Sequence, residues 1–197
     1  KHDLKNNQYS ACKYLKVVKK VIKINSIIDF GAGTGAWLLA AKSLGVDKLI
    51  GIEKHYQIDI KGAKILKQNV FDKINFSADI AVSVEVGEHI LPEKSSIFID
   101  NITSSSDIVI FGAASTHQSG DAHINCREVG FWKNLFKNRG FKLVDLFRQQ
   151  FWNCRKINKA YVQNVYLYVK KDSKYFSEFI SVPLLDIPHP EIINPHQ

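Results

Sequence analysis

Apolar positions along the chain follow two different spacings. Between residues 9 and 23 they recur every three or four residues, as on one face of an amphipathic helix, and residues 24–30, with apolar Ile24, Ile27, Ile28 and Phe30, predict a buried strand. The alternation continues downstream. It predicts further helices near 35–44, 94–105 and 127–139, and further strands at 48–53, 63–70, 78–84 and 107–113.

Strands that alternate with helices predict a parallel sheet with helices on both faces. Two later apolar runs, 141–150 and 161–170, have no convincing helix between them and predict an antiparallel hairpin at one edge. We therefore expect an α/β protein with a doubly wound, mostly parallel, seven-stranded sheet and a C-terminal antiparallel hairpin. Residues 1–180 form the expected domain, residues 1–23 its helical extension, and residues 181–197, which contain four prolines, an irregular tail.

Length and composition narrow the possible functions. A chain of 197 residues suits one domain and argues against a dehydrogenase with separate cofactor and substrate domains. No apolar run reaches the ~18–20 residues that cross a membrane, and three cysteines without a CxxC spacing indicate reduced thiols, so we expect a cytoplasmic protein. The net charge of +8 comes mostly from lysines spread along the chain, which favours solubility and an anionic ligand over a nucleic-acid partner.

A glycine-rich loop follows the first strand. Gly31, Gly33 and Gly35 stand where the chain turns from this strand into a helix, a position where glycine lets a ligand approach the backbone closely. The glycine pattern also fits the dinucleotide-binding fingerprint. A glycine turn that binds no ligand is a further alternative. Asp29, two residues before the first glycine, would repel a pyrophosphate but suits a cationic or amino-acid-bearing ligand. Glu53, at the end of the second strand, stands where such folds place an acid on ribose hydroxyls.

This segment resembles motif I of the class I S-adenosylmethionine (SAM) methyltransferases. The resemblance implies that Asp29 and the three glycines hold the methionine part of SAM and that Glu53 holds the ribose. It also implies that Asp72, which follows the third strand, contacts the adenine amino group. A structural role for Asp72, as an aspartate that caps its own loop, is the alternative.

Two carboxylates and an imidazole follow the fourth strand. Glu85, Glu88 and His89 lie at the carboxyl end of this strand, where a doubly wound sheet binds its ligands. Carboxylates so close together repel each other unless a positive charge lies between them, and Mg²⁺ or Mn²⁺ would accept such ligands. His123, in the loop after the fifth strand, is the fourth candidate ligand.

The ExxEH spacing with a later histidine resembles the metal-dependent O-methyltransferases of small RNAs and of the ubiquinone pathway. In those families the metal binds substrate hydroxyl oxygens and lowers their pKa. Many metal-free members of the superfamily share the stretch and use its first glutamate for SAM, so Glu85 is also a candidate cofactor residue. Without a metal, His89, His123 and His117 are the candidate general bases, although His117 also fits an exposed loop histidine.

A longer resemblance covers residues 9–170. It rests on EVGEH at 85–89, HQSG at 117–120, HIN at 123–125, FW at 131–132, FWN at 151–153 and QN at 163–164. Together these motifs are similar to a bacterial class I family common in cell-surface polysaccharide gene clusters, although those relatives usually carry GQGG where this chain has HQSG. The resemblance implies SAM-dependent O-methylation of a sugar, a sugar nucleotide or a related phosphorylated precursor.

Two functions of other kinds remain open. One is an RNA ribose 2′-O-methyltransferase, which would need basic residues lining the crevice, and the other is a dinucleotide-binding regulator without catalysis. The aromatic residues Trp132, Phe151 and Trp152 fit a hydrophobic core better than a stacking platform for a sugar or base. Asn125 and Gln163 suit the orientation of hydroxyls and ordinary backbone hydrogen bonds equally well.

Overall fold

The computed structural model describes residues 4–116, 118 and 120–179. Helices and strands alternate over most of this part of the chain. In chain order they are α1 Leu4–Lys19, β1 Ser26–Phe30, α2 Ala36–Ser43, β2 Lys48–Ile52, β3 Ala63–Leu66, β4 Ile80–Val84, α3 Ser95–Ser105, β5 Ile108–Gly112, α4 Val129–Lys137, β6 Phe141–Val144, α5 Arg148–Phe151, α6 Lys159–Asn164 and β7 Tyr166–Lys170. Short 3-10 turns at Gly87–His89 and Pro92–Lys94 follow β4.

The seven strands form one sheet in the order β3-β2-β1-β4-β5-β7-β6. The first five of these strands are parallel, whereas β7 pairs antiparallel with both β5 and β6. The chain proceeds from β1 to β2 on one side and later places β4 on the other side of β1. Ligands of doubly wound sheets bind at this reversal, outside the carboxyl ends of the strands. The expected α/β fold with a mostly parallel seven-stranded sheet is confirmed.

Each face of the sheet has its own hydrophobic core. Alternate residues of a strand point to opposite faces, and in β5 Ile108 and Ile110 pack on one face while Val109 and Phe111 pack on the other. The first core is completed by α1 and α2, and the second by α3 and α4. The prediction that Trp132 belongs to a core is confirmed, since it is buried in the second one.

Helix α1 is joined closely to the rest of the fold. It packs along α2, and its Tyr14 ring contacts Phe147 and Phe151, with ring centroids 4.6 Å and 4.9 Å away. The Ser10 hydroxyl accepts a hydrogen bond from the backbone N–H of Asn158, at 2.9 Å. Phe151 therefore packs against the core, as its sequence position suggests.

The region between β6 and β7 differs from the prediction. We expected strands at 141–150 and 161–170, but β6 ends at Val144 and the short helices α5 and α6 lie between the two strands. Asn158 begins α6 because its side chain accepts a hydrogen bond from the N–H of Ala160, as an N-cap residue does. The antiparallel pairing of β6 with β7 is nevertheless present. Helix α1 also begins earlier than expected, at Leu4.

Helices of the described part of the chain are all too short or too polar to cross a membrane. Cys12, Cys126 and Cys154 are free thiols. The predicted tail, residues 181–197, lies outside the described residues.

Candidate functional site

The glycine loop connects β1 to α2 at the reversal point of the sheet. Gly31, Gly33 and Gly35 have positive φ angles of 76°, 55° and 83°, which other residues adopt only with strain. A Cβ at Gly31 would lie 2.5 Å from the side chain of Val86, and one at Gly35 would lie 2.7 Å from that of Ile60. At Gly33 the nearest atom would be the Gly31 carbonyl oxygen, 3.9 Å away. Gly33 therefore borders open space, where a ligand has room to lie against the backbone.

Glu53 holds this loop to the end of β2. Its Oε2 accepts a hydrogen bond from the N–H of Gly33 at 2.8 Å, and its Oε1 accepts from the N–H groups of His55 and Tyr56. The carboxylate is almost completely buried. Glu53 thus organises the loop directly, and Oε2 keeps a lone pair for a ligand hydroxyl.

Other amides of the loop donate their hydrogen bonds inside the protein. The N–H groups of Gly31 and Ala32 both donate to the carbonyl of Ile52, and that of Gly35 donates to the carbonyl of Ala32. A pyrophosphate site needs such amides pointing at the ligand. An anion at this loop would instead meet four amides whose N–H groups already donate within the protein, and a carboxylate nearby.

Asp29 is a buried carboxylate beneath the loop. It is 2% exposed, and its Oδ2 has no hydrogen-bond partner among the described residues. Burial, and then the neighbouring Glu53 carboxylate, raise the pKa of Asp29 to about 8. A ligand cation would relieve both effects, because it would favour the ionised carboxylate.

Asp72 caps its own loop in this structure. Its Oδ2 accepts a hydrogen bond from the N–H of Asn69 at 2.8 Å, and its backbone carbonyl accepts from the side chain of Asn101. This is the structural alternative that the sequence left open. A contact between Asp72 and an adenine stays a prediction.

Glu85 follows β4 in a strained conformation. Its φ of 58° is uncommon for a residue other than glycine, and such strain concentrates at functional sites. Gln118 donates a hydrogen bond to its Oε2 at 2.8 Å, and Asn164 contacts its Oε1 at 3.5 Å. Burial, and then the nearby Glu88 carboxylate, raise the pKa of Glu85 to about 8, against the opposing effect of these two amides.

Glu88 is fully buried in the 3-10 turn that follows. Neither of its carboxylate oxygens makes a hydrogen bond of ordinary geometry with a described residue. Burial raises the pKa of Glu88 to about 7, although its own backbone amide and that of Ala114 partly oppose this effect. A buried carboxylate without partners is costly, and a bound cation is a common way of offsetting that cost.

Glu88, His89 and His123 come together at this point. One possible ligand atom from each lies within 4.8 Å of the other two, and the two imidazole centroids are 5.0 Å apart. Of the four predicted metal ligands the structure groups these three. Glu85 lies outside the group, with its carboxylate engaged by amides.

Backbone carbonyls orient both imidazoles. His89 Nδ1 lies 3.2 Å from the carbonyl oxygen of Ala122, and His123 Nδ1 lies 3.1 Å from that of Gln118. If each Nδ1 carries the proton, each Nε2 carries the lone pair that a metal requires. Gly120 is close to the His123 ring, and a Cβ there would collide with it.

Several other sequence predictions can now be placed. His117 lies outside the described residues, and its role as a base stays a prediction. Asn125 is buried and structural, since its side chain donates to the Gly87 carbonyl and the Ser95 hydroxyl and accepts from Arg127. Gln118 and Asn164 belong to the HQSG and QN segments, but their sequence positions alone indicate no function. In the structure both side chains contact the Glu85 carboxylate.

The comparisons with known proteins agree with this geometry. No protein-family model and no curated protein matches the sequence. Solved structures do match it. A magnesium protoporphyrin IX methyltransferase from Synechocystis with bound SAM gives a TM-score of 0.61 at 13% identity, over 84% of this chain and 80% of that one. The chain has the class I methyltransferase fold.

Two further structures with this methyltransferase fold differ in their acceptors. A sugar N-methyltransferase from Streptoalloteichus gives a TM-score of 0.64 at 8% identity, over 84% of this chain and 88% of that one. A methyltransferase of small RNAs gives a TM-score of 0.57 at 13% identity, over 86% of this chain and 26% of that one. The fold is therefore shown, whereas the acceptor must be argued from the site.

Asp29 gives the stability of the folded protein a defined pH dependence. The folded protein holds the proton on Asp29 up to a pKa of about 8, whereas the ordinary value is 3.8. Between these values the unfolded chain binds fewer protons, so the free energy of unfolding falls as the pH rises. We expect Asp29→Asn to remove on the order of 3 kcal/mol of this fall.

Urea unfolding of the ligand-free protein at pH 5 and pH 8 measures this effect. Asp47→Asn, at an exposed aspartate, is the matched control and should keep the pH dependence of the unsubstituted protein. An identical pH dependence in Asp29→Asn and Asp47→Asn would show that Asp29 is ionised in the folded protein at neutral pH.

Proposed function

We propose that the protein is a SAM-dependent methyltransferase whose acceptor is a hydroxyl group of a sugar, a sugar nucleotide or a related precursor. The observation that carries the proposal is the buried carboxylate of Asp29, whose Oδ2 has no partner among the described residues, beneath a glycine loop that is open at Gly33. When bound, SAM supplies an electrophilic methyl group on a cationic sulfonium. The protein would hold cofactor and acceptor in line for transfer, which is a large part of catalysis in such reactions.

The charges at the strand ends favour SAM over a dinucleotide. SAM carries an ammonium and a sulfonium, and both suit a crevice bordered by the carboxylates of Asp29 and Glu53. A pyrophosphate would meet the same carboxylates and a loop in which four amides, those of Gly31, Ala32, Gly33 and Gly35, already donate elsewhere. This electrostatic argument counts against a dinucleotide-binding regulator.

Binding of SAM tests this part of the proposal. We expect SAM and S-adenosylhomocysteine to raise the melting temperature, with about 2.7 kcal/mol of stabilisation at a hundredfold excess over Kd. NAD should have no effect. Gly33→Val should abolish the stabilisation because the new side chain would occupy the open space beside the loop.

Gly45→Val is the matched control for this variant. Gly45 also has a positive φ, 76°, but it ends α2 away from the crevice, so the substitution adds similar backbone strain without a side chain in the site. Calorimetry and thermal unfolding measure both variants. A normal response to NAD with none to SAM would refute the methyltransferase proposal.

A divalent cation at Glu88, His89 and His123 is the second part of the proposal. One carboxylate and two imidazoles are a donor set that fits a first-row cation such as Mn²⁺ better than Mg²⁺, which prefers oxygen ligands. The carbonyl partners of both imidazoles resemble the outer contacts that usually orient metal-binding histidines. A cation bound there would lower the pKa of an acceptor hydroxyl.

This arrangement divides the roles among the histidines. A ligating imidazole is neutral and its lone pair is engaged, so His89 and His123 could not also act as free general bases. Without a metal, these two residues and His117 remain the candidate bases. Glu85 then holds the loop that carries His123, through the side chain of Gln118.

Metal binding can be measured directly and without activity. We expect one Mn²⁺ per chain by electron paramagnetic resonance, and at least about tenfold weaker binding in Glu88→Gln, as loss of a ligand implies. Glu93→Gln, at an exposed glutamate nearby, should bind like the unsubstituted protein.

EDTA should remove methyl transfer and leave SAM binding intact. Full activity in excess EDTA, with no metal by elemental analysis, would return the histidines to the role of base.

The acceptor is the third part of the proposal. The described residues at the ends of β1, β2 and β4 include four acidic side chains, whereas a groove that neutralises several phosphates of an RNA backbone needs lysines and arginines. The fold neighbours include sugar methyltransferases as well as an RNA methyltransferase, so they allow both acceptors. The net charge of +8 is the argument for RNA, but its lysines are spread over the chain.

A methyl-transfer screen by mass spectrometry separates these acceptors. We expect methylated sugar nucleotides or phosphorylated sugars and no methylated RNA. Binding of a short single-stranded RNA should be weak, whereas a protein gripping several phosphates would show a log–log salt slope of about −0.7 per phosphate. Tight, salt-dependent RNA binding with transfer to a ribose 2′-hydroxyl, and none to sugar nucleotides, would overturn the saccharide assignment.

A further inference from the structure

Arg127 is an exposed residue in the loop that follows β5, shortly after His123. Two contacts hold its guanidinium in place. The Nε–H donates a hydrogen bond to the side-chain oxygen of Asn125 at 2.9 Å. The central carbon of the guanidinium lies 5.2 Å from the centroid of the Phe131 ring, which is within the range of a cation–π contact. A guanidinium that is held at one edge and on one face has fewer orientations than that of an ordinary surface arginine.

Both supports of this side chain connect to the 3-10 turn after β4. Asn125 is buried, its side chain donates to the Gly87 carbonyl at 3.2 Å, and its backbone N–H donates to the Glu88 carbonyl at 2.9 Å. The Phe131 ring meets the Trp132 ring edge to face, with centroids 5.0 Å apart, and the Trp132 ring packs against Gly87. The guanidinium is therefore positioned relative to the turn that carries the proposed metal ligands.

The guanidinium of Arg127 has no counter-ion in the part of the chain that the structure describes. The bond to Asn125 uses only the Nε–H, and neither Nη group donates to a described residue. No described carboxylate lies within ion-pair distance of it. The next residue, Glu128, instead accepts a hydrogen bond from the Thr116 hydroxyl. Both Nη groups can therefore bind an external anion.

The charges around Arg127 make its position informative. Residues 113–128, which follow β5, contain no lysine and no other arginine. The turn after β4, to which Arg127 is joined, carries the buried carboxylate of Glu88, and Glu85 comes just before it. These carboxylates repel an anionic acceptor, so such an acceptor needs a cation to offset the repulsion. Arg127 supplies a cation beside them.

We propose that Arg127 binds an anionic group of the acceptor, either the phosphate of a phosphorylated saccharide or the carboxylate of an acidic one. The inference rests on the proposed function and narrows its acceptor to charged saccharides. The two Nη groups form a planar fork that matches two oxygens of either anion through charge-assisted hydrogen bonds. Because Asn125 and Phe131 already restrain the side chain, binding costs less entropy. A neutral sugar would gain none of these bonds.

The Nε–H of Arg127 is a direct reporter of this site. The chain has four arginines, and Arg127→Lys identifies the signal of this one in a nitrogen–proton correlation spectrum. At low salt, without SAM or added metal, we expect glucose 1-phosphate or glucuronate to shift this signal in a saturable way. The anion that binds more tightly identifies the charged group that the site selects. Methyl glucoside, the neutral analogue of both, should leave the signal in place.

Calorimetry of two variants measures the contribution of Arg127. Arg127→Gln should lower the affinity for the selected anion at least about tenfold, as loss of a charge-assisted hydrogen bond implies, and should still bind SAM. Arg155→Gln, at another exposed arginine, is the matched control and should bind the anion like the unsubstituted protein. Because the titrations contain no SAM, failure of SAM binding would refute the proposed function and leave this result readable.

Three outcomes would overturn the role of Arg127. One is an Arg127 signal that neither glucose 1-phosphate nor glucuronate shifts. Another is an affinity for the saccharide anion that is the same in Arg127→Gln as in Arg155→Gln. The third is inorganic phosphate binding as tightly as the better of the two saccharide anions, since the site would then hold a free anion and not an acceptor.

Discussion

A buried carboxylate at the end of β2 joins the two loops that border the crevice at the carboxyl ends of the central strands. Glu53 accepts hydrogen bonds from the backbone of Gly33 on one side and of His55 and Tyr56 on the other. It thereby joins the loop after β1 to the loop after β2. Hydrogen bonds to ionised groups are stronger than those between neutral groups, so this carboxylate can hold the loop in place at Gly33. The position of Gly33 against open space depends on that bond.

Buried carboxylates close together at the strand ends also repel one another. Burial raises the pKa of Asp29, Glu85 and Glu88. Glu53 raises the pKa of Asp29 further, and Glu88 raises that of Glu85, so the fold concentrates acids that repel each other where water is excluded. Such an arrangement lowers the stability of the empty protein, and positively charged ligands reverse the loss. The crevice is therefore suited to cations, although the whole chain carries a charge of +8.

How far the sequence predicts this site depends on how local each feature is. The strand, glycine loop and helix are consecutive, so their pattern predicts the loop and the position of Glu53. The segment 85–89 likewise places Glu88 beside His89. The side-chain direction of Glu85 could not be predicted, because it depends on a positive φ that no local pattern reveals. Its partner Asn164 is 79 residues away in the chain, and only the tertiary structure brings the two together.

The fold shows the same limit. Long elements with clear periodicity were predicted correctly, whereas α5 and α6 were assigned to strands. These helices have four and six residues, which is too short for a helical period to show. Helix α6 forms because Asn158 caps it and because Tyr161, Val162 and Asn164 are buried against the rest of the fold. Tertiary packing therefore overrides the apolar character that made this segment resemble a strand.

Buried polar atoms without partners are not distributed at random in this protein. In the part of the chain that the structure describes, they include Oδ2 of Asp29 and both carboxylate oxygens of Glu88. These two residues are the ones for which a cationic cofactor and a divalent cation are proposed. Tyr14, Trp37 and Asp145 also carry such atoms, at the side of the sheet covered by α1, where no site is proposed. Unpaired atoms alone therefore do not identify a site. The atoms of Asp29 and Glu88 carry more weight because they lie beside the carboxyl ends of the central strands. The backbone strain at Glu85 and the neighbouring carboxylates at the same strand ends independently indicate a ligand-binding site there.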